Sequence, residues 1–177
     1  MTDIMTSGSY GEVIEPATLK IERVLPGPIE RVWDYLTKSD LRRQWLASGD
    51  MAKKAGSEFE LTWRNDELTN PPGQRPEGFG EQHTAVCQLL EYDPPHILSY
   101  TFGKHGEVTF TLTPKGNEVL LTLVHRRMPD PGIMAMVGPG WHAHLDVLVA
   151  KMRGLKTVPF WDSWVKLKAE YAKRLPI

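Results

Sequence analysis

The feature that most constrains the fold of this chain is a long region of alternating apolar and polar residues. From about residue 57 to residue 127, apolar side chains recur at every second position, as they do in β-strands that bury one face. Turn residues such as Asp93-Pro94-Pro95 and Lys115-Gly116-Asn117 separate the alternating stretches. The pattern predicts an antiparallel meander whose buried positions include Phe59, Leu61, Trp63, Leu98, Tyr100, Phe102, Val108, Phe110, Leu112, Val119, Leu121, Leu123 and His125.

Helical segments flank this meander. A strand, ATLKIERVL, precedes two short helices, IERVWDYL beginning near Pro28 and SDLRRQWL beginning at Ser39 or Asp40. We expect Gly138-Pro139-Gly140 to separate one or two helical turns at 131–137 from a longer helix. That helix ends at Gly154, and its buried stripe is Trp141, Leu145, Leu148 and Met152. A last helix, FWDSWVKLKAEYAKRL, follows it.

The order of these elements predicts an α+β fold rather than a doubly wound α/β fold. A sheet with one apolar face must cover that face, and the helix at 141–153 is the largest available partner. We therefore expect a helix-grip domain: a curved antiparallel sheet of six or seven strands around a long C-terminal helix, with two short helices near the N-terminus. The predicted organisation is a flexible leader at 1–16, the domain at 17–154 and a helical extension at 155–177.

Composition excludes several classes of partner. The formal net charge is −1 with both signs intermingled, so there is no basic field for nucleic acid and no polybasic stretch for a membrane surface. No apolar run approaches the ~20 residues that span a bilayer, and the N-terminus has no secretory pattern, so we expect a soluble cytoplasmic protein. The single cysteine, Cys87, rules out an internal disulfide. Six tryptophans are more than a minimal core of this size requires.

Several segments, in this order, resemble a known superfamily. They are PIERVWDYL, LRRQWL, EYDPPHILSYTF, VHRRMPD and GWHAHLDVL, and the resemblance as a whole runs from about residue 17 to residue 154. The chain resembles the superfamily of steroidogenic-regulatory-like lipid transfer, birch-pollen-allergen and polyketide-cyclase folds, SRPBCC. Within it, the chain is most similar to the branch named for the activator of the heat-shock protein 90 ATPase.

The resemblance implies a helix-grip fold with a cavity between sheet and long helix, and it implies much less about function, because this fold serves transport, cyclisation, hydrolysis and co-chaperone roles. The loop at 64–79 and the helix at 160–175 depart from the simplest members of the superfamily. The loop is long and rich in proline, as active-site lids often are. The eukaryotic activator carries a separate chaperone-binding domain for which we expect no room here, which weakens a co-chaperone role.

Aromatic residues at inward positions are the main candidates for a ligand pocket, because flat side chains suit rings or acyl chains. The alternative for each is ordinary core packing. The predicted ligand-binding set is Trp45, Trp63, Tyr100, Phe110, Leu121, His125, Trp141, His144, Leu145 and Leu148. Arg23, also inward by parity, either pairs with a carboxylate, binds an anionic ligand group or lies exposed at the strand end.

Three histidines at or near inward positions are further candidates for a functional role. His125 continues the inward alternation, so it is either satisfied by a backbone carbonyl or serves as a polar anchor or base. His142 and His144, two residues apart on a helix, point about 200° from each other and cannot chelate one ion, so no metal site is predicted. His144 lies beside the buried stripe and is expected to face the cavity, whereas His142 is expected on another face of the helix.

No motif in the sequence establishes catalysis. There is no Gly-x-Ser-x-Gly, phosphate loop or dinucleotide fingerprint, and no cofactor is predicted. Three hypotheses remain: binding of a small hydrophobic or aromatic ligand, an enzyme of the cyclase or hydrolase kind, and an interaction module. The enzyme would use His125 or His144 as base and Tyr100 as hydrogen-bond donor. The interaction module would contact a chaperone or form a homodimer through the C-terminal helix.

Overall fold

The computed structural model describes Met5 and residues 7–175, and it shows the predicted α+β architecture. Seven antiparallel strands form one sheet in the order β1-β2-β7-β6-β5-β4-β3. The strands are β1 Glu12–Glu15, β2 Thr18–Pro26, β3 Glu58–Trp63, β4 His83–Asp93, β5 Ile97–Thr101, β6 Glu107–Lys115 and β7 Glu118–Arg126. The helices are α1 Ile29–Thr37, α2 Ser39–Arg42, α3 Pro131–Arg153 and α4 Phe160–Arg174. The predicted helix-grip fold, with two short helices near the N-terminus and an extra C-terminal helix, is confirmed.

The alternation in the sequence sets the register of the sheet. Strands β2, β6 and β7 bury every second residue, and the buried positions pair across the strands, as Ile21 does with Leu123 and Phe110 with Leu123. A slip of one residue would move all of these side chains to the opposite face, so the apolar pattern strongly disfavours any other register. The two-residue connection Gly116-Asn117 joins β6 to β7, with Gly116 at a φ of 63°.

Helix α3 is longer than the sequence predicts. It begins at Pro131, where the Asp130 side chain accepts a hydrogen bond from the backbone N–H of Ile133, and it continues through Pro139 without interruption. The expectation that residues 138–140 break the helix is therefore wrong. Proline removes one helical N–H, but Gly138 and Pro139 are both buried, and tertiary packing holds this part of the helix in place.

The N-terminal segment also differs from the sequence prediction. Residues 1–16 were expected to form a leader without regular structure, yet Glu12–Glu15 pairs with β2 as the edge strand β1. Four residues of the sequence EVIE carry too little pattern to reveal a strand, whose formation depends on the neighbour it pairs with. Residues 1–4 and residue 6 of the predicted leader lie outside the described residues.

Helix α4 packs against the side of α3 that faces away from the sheet. It buries five large side chains, and α3 is consequently buried around its whole circumference from Trp141 to Ala150. Val165 and Ala172, although apolar, are exposed on the outer face of α4. The buried side chains of α4 are Phe160, Trp161, Trp164, Leu167 and Tyr171. None of the helices within the described residues has the length and apolarity needed to cross a membrane.

Candidate functional site

A cavity of about 360 Å³ lies where the first half of α3, the start of α4 and the edge of the sheet meet. Seven aromatic rings line it, and its rim is exposed at Glu81, Gln82 and His83. The lining residues are Leu46, Trp63, Asn65, Gly78, Phe79, Gly80, Glu81, Gln82, His83, Ala85, Phe102, His105, Met136, Val137, Gly140, Trp141, His144, Phe160, Trp161 and Trp164. A larger hollow of about 550 Å³ lies between β1 and the start of α3, but its described lining includes no aromatic side chain.

The loop after β3 and the first turn of α4 hold each other in place as one wall of the cavity. The backbone N–H of Phe160 donates to the hydroxyl of Thr69 at 2.9 Å, and that of Trp161 donates to the carbonyl of Pro72 at 3.0 Å. The indole Nε1 of Trp161 donates to Asp66 Oδ1 at 2.7 Å, and Arg75 pairs with the same carboxylate. These contacts fix the indole of Trp161 at the cavity surface.

Phe79 lies across this wall between two glycines. Its ring is 5.1 Å from that of Trp161 and 4.9 Å from that of Trp164, the second in an edge-on arrangement. Aromatic pairs with such spacings stabilise each other by roughly 0.5–1.5 kcal/mol beyond the area they bury. Gly78 has a φ of 92°, which a residue with a side chain rarely adopts, so the turn that presents Phe79 requires glycine.

On the opposite wall, His125 orients Trp141. The indole Nε1 of Trp141 donates to His125 Nδ1 at 3.0 Å, and His125 Nε2 donates to the carbonyl of His105 at 2.6 Å. Burial lowers the pKa of His125 to about 4, so the ring is neutral at pH 7, as an Nδ1 acceptor requires. Both ring nitrogens are occupied, which makes His125 a positioning residue for Trp141.

His144 has a different arrangement. Its Nδ1 is 2.8 Å from the carbonyl oxygen of Trp45, and because a carbonyl can only accept, Nδ1 carries the proton. Its Nε2 has no hydrogen-bond partner among the described residues, although the side chain is almost completely buried in the cavity wall. Burial lowers the pKa of His144 to about 4, so Nε2 presents a lone pair at neutral pH.

Comparisons with known proteins identify the family. The family model described as "Activator of Hsp90 ATPase homolog 1-like protein" matches residues 26–153. The chain belongs to this family. The match spans α1 to α3 and ends just before α4, so Phe160, Trp161 and Trp164 of the cavity lie beyond it. A comparison with curated proteins gave no match.

Solved structures share the fold of this chain. The solution structure of the protein encoded by gene BPP1335 from Bordetella parapertussis has a TM-score of 0.80 and 36% identity, covering 97% of this chain and 96% of that one. CalU16 from Micromonospora echinospora, in its crystal structure, has a TM-score of 0.65 and 21% identity over 88% of this chain and 86% of its own. EF2215 from Enterococcus faecalis, a conserved protein of unknown function, has a TM-score of 0.65 and 16% identity over 90% and 86%. The last two show the fold alone.

Within this family fold, the ten residues predicted to bind ligand do not all meet at the cavity. Trp63, Trp141 and His144 line it. His125 lies behind Trp141, and Trp45 lies behind His144, where its carbonyl accepts from Nδ1. The remaining predicted residues are buried in the hydrophobic core and do not line this cavity; they are Tyr100, Phe110, Leu121, Leu145 and Leu148.

The sequence analysis did not identify the contribution of α4. Phe160, Trp161 and Trp164 are three of the seven aromatic side chains of the lining, and the sequence pattern assigned them to an extension outside the domain. The excess of tryptophan was the available signal, since four of the six tryptophans line the cavity. The loop at 64–79, which the sequence analysis compared with active-site lids, does contribute to the cavity. It supplies Asn65, Gly78 and Phe79 of the lining.

A second polar cluster, which we call the α3–α4 network, lies under the other end of α4. Arg23 Nη2 donates to Asp146 Oδ1 at 3.0 Å, the hydroxyl of Ser7 donates to Asp146 Oδ2 at 2.6 Å, and His142 Nε2 donates to that hydroxyl at 2.8 Å. The Tyr171 hydroxyl donates to His142 Nδ1 at 2.8 Å. Arg23 thus pairs with a carboxylate, one of the outcomes its inward position allowed. Among the described residues, no group of three side chains is suited to hold a metal ion.

Proposed function

We propose that the cavity beside α4 binds a small, predominantly apolar molecule that contains an aromatic ring system. The observation that carries the proposal is the lining itself, with seven aromatic side chains around about 360 Å³ of space. Pockets for small organic ligands span roughly 300–1,000 Å³ and combine apolar walls with a few polar groups. Well-packed protein interiors, by contrast, leave few voids larger than a water molecule.

The electrostatics of the lining support an uncharged ligand. None of the described residues that line the cavity is lysine or arginine, and Glu81 lies exposed at the rim. A carboxylate or phosphate buried here would lose its hydration without gaining a cation, which is costly. Ring faces and edges are well matched by the surrounding indoles and phenyl groups, and each Å² of apolar surface removed from water contributes about 25 cal/mol.

An enzyme that uses His125 as base and Tyr100 as hydrogen-bond donor has less support. His125 uses both ring nitrogens in hydrogen bonds, so it has no free lone pair with which to act as a base. Tyr100 lies in the core away from the cavity lining, and burial raises its pKa. A co-chaperone role follows from the name of the family rather than from any feature of the described surface.

The test is a binding titration that compares two leucine substitutions. Gly140 lines the cavity, and a Cβ added there meets nothing within 4 Å, so we expect the side chain of Gly140→Leu to occupy part of the open space. Ala172→Leu enlarges an exposed residue of α4 that does not line the cavity, and it serves as the control. The panel comprises 2-naphthol, a flavonoid, a steroid and laurate, and binding is followed through the indole N–H signals in ¹H–¹⁵N spectra.

We expect at least one ring compound to bind the wild-type protein, with its Kd raised at least tenfold in Gly140→Leu and unchanged in Ala172→Leu. Native mass spectrometry of freshly purified protein gives an independent measurement, because a co-purifying molecule identifies the natural ligand class. The proposal is overturned if no panel member binds and the purified protein carries no small molecule. It is also overturned if the two leucine variants bind equally well.

A further inference from the structure

One polar atom in the cavity wall, Nε2 of His144, is a hydrogen-bond acceptor whose role the aromatic lining does not by itself imply. The carbonyl of Trp45 holds the proton of His144 on Nδ1, at a distance of 2.8 Å. The other ring nitrogen, Nε2, is therefore an acceptor, and it has no partner among the described residues. The tautomer is set from the core side of the ring, through the backbone, so it does not depend on the ligand.

The charge state of this ring is fixed as well. The ring of His144 lies 4.9 Å from that of Phe160, and its side chain is 6% exposed. No carboxylate among the described residues is within ion-pair distance of it, so nothing compensates a positive charge there. Burial accordingly holds the pKa of this histidine far below neutrality, at about 4. The ring is a neutral acceptor throughout the physiological pH range.

Space for a ligand that contacts His144 lies one helical turn before it, at Gly140. Gly140 and His144 are spaced i, i+4 and so lie one above the other on α3. Gly138 and Gly140 differ in what surrounds them: an added Cβ at Gly138 meets the ring of Tyr171 at 3.2 Å, whereas one at Gly140 meets nothing within 4 Å. Close packing explains the first glycine. The second lowers helix stability by roughly 1 kcal/mol relative to alanine, with no packing reason, and it leaves the helix backbone open beneath the cavity.

These observations identify the class of ligand, on the basis of the function proposed above. We infer that the cavity selects uncharged aromatic molecules that carry a hydrogen-bond donor, such as a phenolic hydroxyl, with the ring over Gly140 and the donor bonded to His144 Nε2.

Three matched naphthalenes test this selectivity. 2-Naphthol carries the donor, 2-methylnaphthalene replaces its hydroxyl by a methyl group of nearly the same size, and 2-naphthoate carries a negative charge. At pH 7 we expect 2-naphthol to bind about tenfold more tightly than 2-methylnaphthalene, the ratio that one hydrogen bond of about 1.4 kcal/mol produces. 2-Naphthoate should bind most weakly. In His144→Phe, which keeps a ring of similar size without the acceptor, the ratio should fall towards one.

A spectroscopic measurement on the wild-type protein makes the inference independent of how well His144→Phe folds. The ¹⁵N signal of an imidazole nitrogen with a free lone pair shifts upfield when the nitrogen accepts a hydrogen bond. We expect 2-naphthol, and not 2-methylnaphthalene, to shift the Nε2 signal of His144. Equal binding of these two compounds, an unmoved Nε2 signal, or tighter binding of 2-naphthoate overturns the inference while the proposed function stands. If none of the three binds, the proposed function loses its aromatic ligand and the inference falls with it.

Discussion

The two ends of α4 cover two buried sites that differ in how far their polar atoms are hydrogen-bonded. Under its C-terminal half, the α3–α4 network joins Arg23, His142, Asp146 and Tyr171 to one another and to residues 7–11. Under its N-terminal half, the cavity contains His144, whose Nε2 has no partner among the described residues. Apart from Arg23 Nε, which is buried without a partner, the polar groups of the network satisfy one another and so hold these elements together. An acceptor without a partner beside open space is instead available to a ligand.

The largest expected effect comes from breaking the α3–α4 network. Asp146→Ala removes the carboxylate that pairs with Arg23, whose side chain is only 4% exposed, and it leaves a buried guanidinium without its counter-charge. The loss of one partner of a buried ion pair costs about 3–5 kcal/mol. We expect the free energy of unfolding, measured by urea titration, to fall by that amount, while the affinity of the folded protein for 2-naphthol changes little.

The control for this prediction is an exposed ion pair. Asp34 in the last turn of α1 and Lys38 just after this helix lie 3.3 Å apart, with 39% and 60% of their side chains exposed, so Asp34→Ala should cost less than about 1 kcal/mol. A double variant, Arg23→Met with Asp146→Leu, replaces both members of the buried ion pair by apolar residues. It should recover much of the stability lost in Asp146→Ala. Equal costs for the two single alanine variants would show that the network does not stabilise the fold as described.

The sequence predicts the sheet, the stripe of α3 and part of the cavity lining, but not the contacts of α4, for a physical reason. The sheet and the buried stripe of α3 follow from periodicity, because a period of two or 3.6 directly reports which side chains share a face. Trp63, Trp141 and His144 could be placed near a cavity on that basis. Trp161 and Phe79 could not, because their position depends on Asp66 and Pro72 contacting α4 across about 90 residues of chain. Such long-range contacts leave no periodic trace.

The same distinction explains the error at Gly138-Pro139-Gly140. Local propensity predicts a break there, since proline lacks an N–H and glycine destabilises helices. The structure instead buries Pro139 in a continuous helix and packs Gly138 against Tyr171 of α4. Packing by an element that the sequence placed outside the domain outweighs the local preference. Gly140, the third residue of this motif, belongs to the cavity.

The second prediction concerns the effect of acid on the cavity site. His144 has a folded pKa of about 4, below the ordinary value of 6.5. A lowered histidine pKa means that the unfolded chain binds the proton first, so stability is highest above pH 6.5 and falls as the pH drops towards 4. This one residue should lower the free energy of unfolding by about 2 kcal/mol between pH 7 and pH 5.

The measurement is the difference in pH dependence between the wild type and His144→Phe. The variant loses the hydrogen bond to the Trp45 carbonyl at every pH, so its slope between pH 7 and pH 5, rather than its absolute stability, reports the titration. We expect a slope shallower by about 2 kcal/mol over this interval. 2-Naphthol should raise the wild-type stability at pH 7, because it binds only the folded protein. Parallel pH profiles would contradict a buried, uncompensated imidazole at this position.

The smallest expected effect concerns His125, which connects the core to the cavity without lining it. His125→Gln keeps a polar side chain but cannot hold the geometry of both hydrogen bonds, to Trp141 Nε1 and to the His105 carbonyl, so we expect a loss of about 1 kcal/mol. The indole N–H signal of Trp141 should shift, and 2-naphthol should bind several-fold more weakly. For the Trp141 signal, His105→Ala is the matched control, because it keeps the backbone carbonyl that His125 contacts; it is not a control for binding, since His105 lines the cavity. If His105→Ala moves the Trp141 signal as much as His125→Gln does, the His105 side chain rather than this hydrogen-bonded chain orients the cavity wall.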